Sequence, residues 1–446
     1  MTTFDIHKFQ ESIAALPDTS GYLVAYSGGM DSHVLLHAMS GIPLDPGVKI
    51  QVAHINHGLS NNAGQWQAHC LHICDVLGLE LITIPVHVEQ AGSIEARARE
   101  TRYLALAGLL QPGHILLTAH HMDDQAETVL LQLFRGAGPD GLAGMPSVST
   151  FARGWHARPL LGTRRSALHT YAVQHGLRWV DDDSNQDITI SRNFLRQRIL
   201  PELSTHWPGL IEVLNRAAAN QADSSVLQDA IGELDLSAVQ GGDHVSINLD
   251  QLSILSASRQ RNVIRYWLKT QSLPVPGRTQ LEQIITDMVN AAEDASPVFS
   301  SGEREIRRYR NRIYLIEPPG TGTAGLPVTW RLDKPLALDL GCLRAVRGTG
   351  KGLKAVLCRG DQVEVRYRRG GENIQLPGKD HHQTLKNLFQ EAGVPPWYRQ
   401  HVPLLFLEGN LAAVGGIWID DQYVAGDDED SWQISWDMQT LVFGKV

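Results

Sequence analysis

The sequence predicts an α/β fold: a parallel, doubly wound sheet at the N-terminus, then a small helical and strand domain, then a C-terminal α+β domain. Three observations predict it. From Gly21 to about Asp182, short apolar runs alternate with helical stretches of crossover length, the pattern of βα units. A Gly-Gly turn joins the first of these strands to the first helix. Beyond about residue 215 the alternation gives way to amphipathic helices and short arginine-rich strands. At 446 residues the chain exceeds one ordinary domain, and the expected boundaries are 1–215, 216–325 and 326–446.

The alternating region predicts strands over 22–26, 49–54, 79–86 and 114–119, and helices over 32–40, 63–77, 94–110 and 123–135. In sheets of this kind ligands sit beyond the carboxyl ends of the strands. The turn after the first strand is Ser27-Gly28-Gly29-Met30-Asp31-Ser32. Adjacent glycines permit positive φ and close approach of backbone N–H groups, and an opening helix adds its dipole, so the turn suits phosphate. Ser32 is expected to cap the helix, and Ser27 adds a hydroxyl. Asp31, an acid beside a polyanion, is expected to work through Mg²⁺ or to orient the phosphates.

After the second strand, His54-Ile55-Asn56-His57-Gly58-Leu59-Ser60 brings two imidazoles and an amide to the same sheet edge, which favours a site lining over a plain glycine turn. Ser93 is a plausible cap for the next helix. Its arginines Arg97, Arg99 and Arg102 cannot share one face, so a solvated face accounts for some of them and a ligand role, Arg97 included, for others. The fourth strand runs into Thr118-Ala119-His120-His121-Met122-Asp123-Asp124-Gln125-Ala126-Glu127-Thr128. Capping explains one or two acids at a helix start. Two histidines with Asp123, Asp124 and Glu127 exceed that need. Zinc is conceivable there, but a phosphate loop favours Mg²⁺ with oxygen ligands, and the acids suit an amine held by charge-assisted hydrogen bonds or relieved of its proton. The glycines of 136–144 read as a surface linker or a substrate-facing lid. Arg158, then Arg192, Asn193 and Arg196 at a later helix start, suit phosphates or an RNA backbone.

The remaining chain carries less chemistry. Residues 208–245 read as a helical connector. The densest basic stretch, 303–316, holds Arg304, Arg307, Arg308, Arg310 and Arg312 with Tyr309 and Tyr314, which favours RNA contact. Arg366, Arg368, Arg369, Lys379, Lys386 and Arg399 are further candidate phosphate contacts. A net charge of −9 excludes a uniformly basic coat but not local basic faces. No run of about 18 apolar residues suggests a membrane span, and the polar Met1–Gln10 stretch does not resemble a signal peptide. Cys70, Cys74, Cys342 and Cys358 suggest no disulfide framework, which fits a reducing cytoplasm.

The Ser27–Ser32 pattern is similar to the pyrophosphate loop of the N-type ATP pyrophosphatases (the PP-loop superfamily), which cleave ATP between the α and β phosphates. The order of Ser27–Ser32, His54–Leu59, Glu95–Arg99, His120–Thr128, Arg135–Met145 and Arg158–Arg196 more closely resembles the bacterial tRNA(Ile)-lysidine synthetases, and the block after Gln362 resembles their tRNA-holding C-terminal domain. The resemblance implies a cytoplasmic ligase using ATP, Mg²⁺, L-lysine and tRNA(Ile) with a wobble cytidine, and no obligate protein partner. The cytosine C2 oxygen would attack the α-phosphate, releasing pyrophosphate, and lysine would then displace AMP to give lysidine, changing codon reading from AUG to AUA. On that view Ser27, Gly28, Gly29, Met30, Asp31 and Ser32 bind the nucleotide and Asp31 the metal. Asp123, Asp124, Glu127, Arg97 and Arg196 bind substrate. Asp31, Asp124, His120 (or His121) and Arg192 (or Arg196) serve the chemistry. A tRNA thiolase of the same superfamily would need paired catalytic cysteines or an iron–sulfur cluster. An amidating ligase would need an ammonia source, and a bare tRNA-binding module would not need an intact loop and acidic cluster.

Overall fold

The computed structural model describes residues 4–56, 58, 62–87, 94–181, 186–240, 246–291, 297–318, 327–358, 360 and 362–437. The expectations placed on His57, Leu59, Ser60 and Ser93 lie outside them. The chain divides into two compact units, Met1–Asp229 and Ala230–Val446. The expected boundary at 215/216 falls within one continuous helix, Leu210–Gln240. Its Ala-, Asn- and Gln-rich composition changes the surface it presents, not its backbone.

The first unit begins with α1 (Ile6–Ala14) and then alternates: β1 (Gly21–Ala25), α2 (Met30–Ser40), β2 (Lys49–Asn56), α3 (Ala63–Leu77), β3 (Glu80–Pro85), α4 (Ile94–Leu109), β4 (Ile115–Leu117) and α5 (Met122–Phe134). The four expected strands appear within two residues of their predicted ends. After the short turn α6 (Pro139–Leu142) come β5 (Val148–Phe151) and β6 (Gly154–Ala157), then α7 (Arg165–Gln174), α8 (Ser191–Phe194), a π-helical turn (Leu195–Ile199), α9 (Leu200–His206) and α10 (Leu210–Gln240). The sheet order is β3-β2-β1-β4-β6-β5, parallel except for β5, which returns antiparallel along β6. The winding reverses between β1 and β4, which creates the crevice where such sheets bind ligands. Val24, Val52, Ile115 and Leu117 of the sheet and Val34, Leu35 and Leu36 of α2 are essentially inaccessible. A near-continuous apolar run is what a strand covered on both faces requires.

In the second unit, β7 (Ser246–Asn248), α11 (Leu249–Ile254), α12 (Ala257–Thr270) and α13 (Arg278–Asn290) precede β8 (Val298–Ser301), β9 (Arg304–Tyr309) and β10 (Arg312–Ile316), which form a sheet in the order β7-β10-β9-β8. Trp267, Leu268, Ile306 and Ile313 form part of its core. Later come β11 (Val328–Arg331), β12 (Leu336–Leu338), β13 (Gly341–Thr349), β14 (Leu353–Lys354), β15 (Gln362–Arg366), the ribbon β16 (Asn373–Ile374) and β17 (Gln383–Thr384), α14 (Leu385–Glu391), β18 (Leu404–Leu407), β19 (Asn410–Val414), β20 (Trp418–Ile419) and β21 (Asp430–Asp437). They build two antiparallel sheets, β11-β15-β18-β19-β20 and β12-β13-β21-β14, around Trp330, Leu343, Leu353 and Leu405.

Candidate active site

Two segments meet at the β1/β4 crevice: the turn from β1 into α2, and the strand end from β4 into α5. Gly28 makes the first turn possible, because its φ is +84° and a Cβ there would lie 3.0 Å from the Cys70 sulfur. The Val180 N–H donates to the Gly28 carbonyl at 3.0 Å and pins the turn from the other side. The expectation that Ser32 caps α2 is corrected: Gly29 is the N-cap, and the helix begins at Met30. The sharp turn at Gly28 starts the helix two residues early, which leaves Ser32 inside the first turn. Its hydroxyl instead donates to the Gly29 carbonyl at 2.9 Å. That hydroxyl proton is spent, so Ser27 donates to Ser32 at 3.1 Å while accepting the Gly29 N–H at 3.3 Å. Both serines therefore knit the turn, and the first N–H groups of α2 stay available at its end.

Asp31 follows in the first turn of α2. Its Oδ2 lies 3.6 Å from His121 Nε2 and 3.7 Å from Arg165 Nε. Its Oδ1 is buried and has no hydrogen-bond partner. A carboxylate oxygen left bare in a buried position is costly unless a cation or donor completes it. His121 is the N-cap of α5 and forms a capping box with Asp124. Burial opposes charge on His121, but the carboxylates of Asp124, Asp31 and Asp123 outweigh it and raise the imidazole. Burial likewise opposes charge on Asp124, yet His121, Arg192 and Arg196 hold its carboxyl below the ordinary range.

The sequence groups Asp123, Asp124 and Glu127 as one acidic pocket. The structure gives each a different partner. Asp123 Oδ2 accepts the Arg165 N–H at 2.8 Å, tying down the start of α7, with Arg164 Nε at 3.6 Å. Asp124 Oδ1 accepts from Arg196 Nη2 at 2.9 Å. Glu127 is 1% exposed and takes Arg192 Nε at 2.8 Å and Arg196 Nε at 2.6 Å on its two oxygens. Burial works against the charge of Arg196, but the bond to Glu127 and the acids around it raise its pKa further. The cluster is an ion-paired network, with Asp31, Asp123, Asp124 and Glu127 facing Arg164, Arg165, Arg192, Arg196 and His121. Asp123 and Asp124 keep some exposure, at 23% and 13% of their side chains. Glu127 does not, so its expected place among substrate-facing acids changes to that of an anchor for two arginines.

A second polar line runs beside the first. Thr118 Oγ1 stands 2.8 Å from His120 Nδ1 and 2.8 Å from His156 Nε2, and Arg158 Nη2 stands 3.1 Å from His156 Nδ1. Burial pushes His120 and His156 down to about 3, with Arg158 and Arg99 adding to the effect on both. The arginine of α4 felt here is Arg99, which also lies over the Tyr103 ring at 5.2 Å. Arg97 is half-buried on the same helix. His156, Arg164 and Arg165 were not among the expected site residues. A single polar residue inside Trp155-His156-Ala157 was the available signal.

Other expectations resolve structurally. His54 is buried, and its Nδ1 donates to the Tyr26 carbonyl at 3.0 Å, so it braces the end of β1 instead of lining the site. The glycine-rich loop is fastened to α5: the Gln125 amide bonds both the N–H and the carbonyl of Met145, at 2.7 and 3.0 Å. Cys70 and Cys74 are buried, and burial raises their thiols to about 12 and about 11. Among the described residues no three His, Cys, Asp or Glu side chains cluster to hold a metal, and no helix is long and apolar enough to cross a membrane.

The basic stretch of the second unit is largely committed internally. Arg308 Nη1 donates to the carbonyls of Met288, Val289 and Ala291 at 2.8, 3.3 and 2.7 Å, closing the end of α13. Arg307 pairs with Glu305, Arg304 with Glu317, and Arg310 with the Gln390 carbonyl. The exposed side chains of Arg369, Lys379 and Lys386 have no ion-pair partner among the described residues.

Three family models match the chain: a PP-loop domain over residues 1–203, a TilS substrate binding domain over 247–314 and a TilS substrate C-terminal domain over 363–436. The chain is similar to the tRNA(Ile)-lysidine synthase of Coxiella burnetii, at 39% identity over 97% of this chain and 96% of that one. It is similar to the enzyme of the same name from Methylococcus capsulatus, at 37% identity over 95% and 98%. The same holds for Alkalilimnicola ehrlichii, at 40% identity over 93% of each.

Proposed function

The chain belongs to the tRNA(Ile)-lysidine synthase family, and from that premise we propose how its residues divide the ATP-dependent ligation that forms lysidine on tRNA(Ile). The observation that carries the reading is the meeting of two segments at one sheet reversal, with Asp31 of the phosphate turn 3.6 Å from His121 of the ionic network. An anion cradle and a charged, partly exposed network side by side suit a reaction that first activates with ATP and then admits an amine.

Met30, Asp31 and Ser32, the first residues of α2, present the backbone N–H groups that take the ATP phosphates, Gly28 and Gly29 shape the turn, and Ser27 and Ser32 hold it by hydrogen bonds. The bare Asp31 Oδ1 fits Mg²⁺. Such an ion takes one or two carboxylates and fills its shell with phosphate and water oxygens, so a wider set of acids is not required. When bound, Mg²⁺ neutralises charge on the triphosphate. In the first step the wobble cytidine C2 oxygen attacks the α-phosphate and pyrophosphate leaves. Arg192 and Arg196, held by Glu127, set positive charge beside that centre, and His120 donates a hydrogen bond there. In the second step the ε-amine of L-lysine displaces AMP. Asp123 and Asp124, the partly exposed acids, hold its ammonium, and Asp124 takes the proton the ammonium must lose before its nitrogen attacks C2 and AMP leaves. Arg369, Lys379 and Lys386 supply open positive charge for the tRNA backbone.

The test combines ATP, labelled lysine and unmodified tRNA(Ile). Label enters tRNA only with ATP present, with AMP and pyrophosphate formed in step. Asp31→Ala abolishes pyrophosphate release. Normal pyrophosphate release by that variant would overturn the assignment.

A further inference from the structure

Arg158, His156, Thr118 and His120 form a chain whose proton positions are dictated by its first member. A guanidinium has donors and no acceptor. Arg158 Nη2, 3.1 Å from His156 Nδ1, therefore requires a lone pair on that nitrogen. The ring's proton is then on Nε2, which donates to Thr118 Oγ1 at 2.8 Å. Having accepted there, the Thr118 hydroxyl donates its own proton to His120 Nδ1, also at 2.8 Å. The His120 proton is left on Nε2. Reversing the chain would set a protonated His156 Nδ1 against a guanidinium.

The chain's origin is fixed too. Arg158 is 8% exposed, and its Nη1 donates to the Pro146 carbonyl at 2.7 Å. His156 sits opposite Leu116 in the β4–β6 register, and the Thr118 N–H donates to the Ala157 carbonyl at 3.1 Å. Adjacent parallel strands thus hold the middle pair of the relay, His156 and Thr118. Among the described residues, Nε2 of His120 has no partner, so it is the relay's open end.

We infer that Arg158, His156 and Thr118 are positioning residues that lock His120 as a neutral imidazole with its proton on Nε2, presenting a hydrogen-bond donor to the ligation site. The inference deepens the proposed role of His120 and rests on that reading for its catalytic meaning. Burial pushes His120 and His156 to about 3, so neither ring is charged near neutral pH. A ring in this state stabilises developing negative charge by donation and does not act as a base.

The experiment is a long-range proton–nitrogen correlation spectrum of the full chain carrying ¹⁵N-histidine, with His120 assigned by its loss in His120→Gln. The expected signals are an unprotonated Nδ1 and a protonated Nε2. Thr118→Val is expected to mix the tautomers and lower kcat for lysidine formation roughly 10- to 100-fold, with KM for ATP and lysine unchanged. Thr118→Ser restores both readouts. A His120 protonated on Nδ1, an imidazolium at neutral pH, or a spectrum unmoved by Thr118→Val overturns the inference. Should Thr118→Val not fold, the wild-type spectrum still decides the tautomer. The expected spectrum in a chain that forms no lysidine would overturn the functional reading and leave the relay standing.

Discussion

Arg196 Nε lies 2.6 Å from Glu127 Oε1, and Glu127 is 1% exposed. The carboxylate is thus a buried anchor whose other oxygen accepts from Arg192. Removing one member of a buried, multiply bonded charge set strands the others. Glu127→Ala is expected to cost about 3–5 kcal/mol of folding stability. It should also lower activity by releasing both arginines. Denaturant unfolding checks the first effect. A change under about 1 kcal/mol would contradict the buried anchor, since surface pairs contribute no more than that.

The Ser27–Ser32 turn is constrained twice at Gly28, by a φ of +84° and by the Cys70 sulfur 3.0 Å from the position of a Cβ. Gly28→Ala is expected to weaken ATP binding and cost stability. Adding Cys70→Ala relieves the contact and leaves the left-handed backbone strain, about 1–2 kcal/mol. Titration calorimetry with ATP therefore separates the two constraints. Full rescue by the second substitution would show that only the sulfur mattered.

Stability should depend on pH in a direction set by buried imidazoles. Burial holds His33 at about 4 and His120 and His156 at about 3. In the unfolded chain each titrates near 6.5. Below that value the unfolded chain takes protons the folded chain refuses, so stability falls as pH drops through this window. His121 has the opposite sign, because its raised value gives stability that is present below about 6.5 and lost as pH rises through the raised value. Asp124 is lowered, so its contribution is present above the ordinary carboxylate range and lost as pH falls through its own lower value. Burial lowers His37, His54, His69 and His401 as well, so seven histidines act on the acid limb against one, and the urea midpoint is expected to be lower at pH 5 than at pH 7. His33→Gln should flatten that limb, and equal midpoints at the two pH values would refute the balance.

In the second unit the arginines differ in kind. Arg308→Met leaves the carbonyls at the end of α13 without their donor and should cost about 1.5–3 kcal/mol. Lys379→Gln and Lys386→Gln should leave stability unchanged. Each is expected to weaken tRNA binding and reduce its salt slope by about 1. Binding titrations over a range of salt, run beside thermal melts, distinguish these outcomes.

What the sequence made legible follows from the range of the forces involved. Strand and helix periods are local, so β1 to β4 and the helices between them could be read directly. The β5–β6 hairpin escaped because its strands are four residues each and it turns at Ala152, with φ +48°, without a glycine at that position. The glycine turn at Ser27–Ser32 was legible as a turn into a helix for the same local reason. The acidic cluster was legible as composition but not as chemistry. Arg192 and Arg196 lie 65 and 72 residues from Glu127 and Asp124, and no spacing rule links them. Arg308 misled for a similar reason, since its partners are 17 to 20 residues back, at the C-terminal end of α13 and its cap. His156 became meaningful only through the β4–β6 register.

The π-helical turn at Leu195–Ile199 follows directly on α8 and carries Arg196, while Arg192 sits in α8 itself. A π turn holds one residue more than its α counterpart, so everything after it is rotated by about 100°. The segment from Ser191 to Leu200 therefore obeys a length rule as well as an identity rule. Exposed Arg198 could change without altering the phase of the helix, whereas one residue deleted nearby would restore the α period, swing Arg196 away from Glu127 and leave α9 with a different face inward. In this stretch the number of residues is itself information that the fold uses.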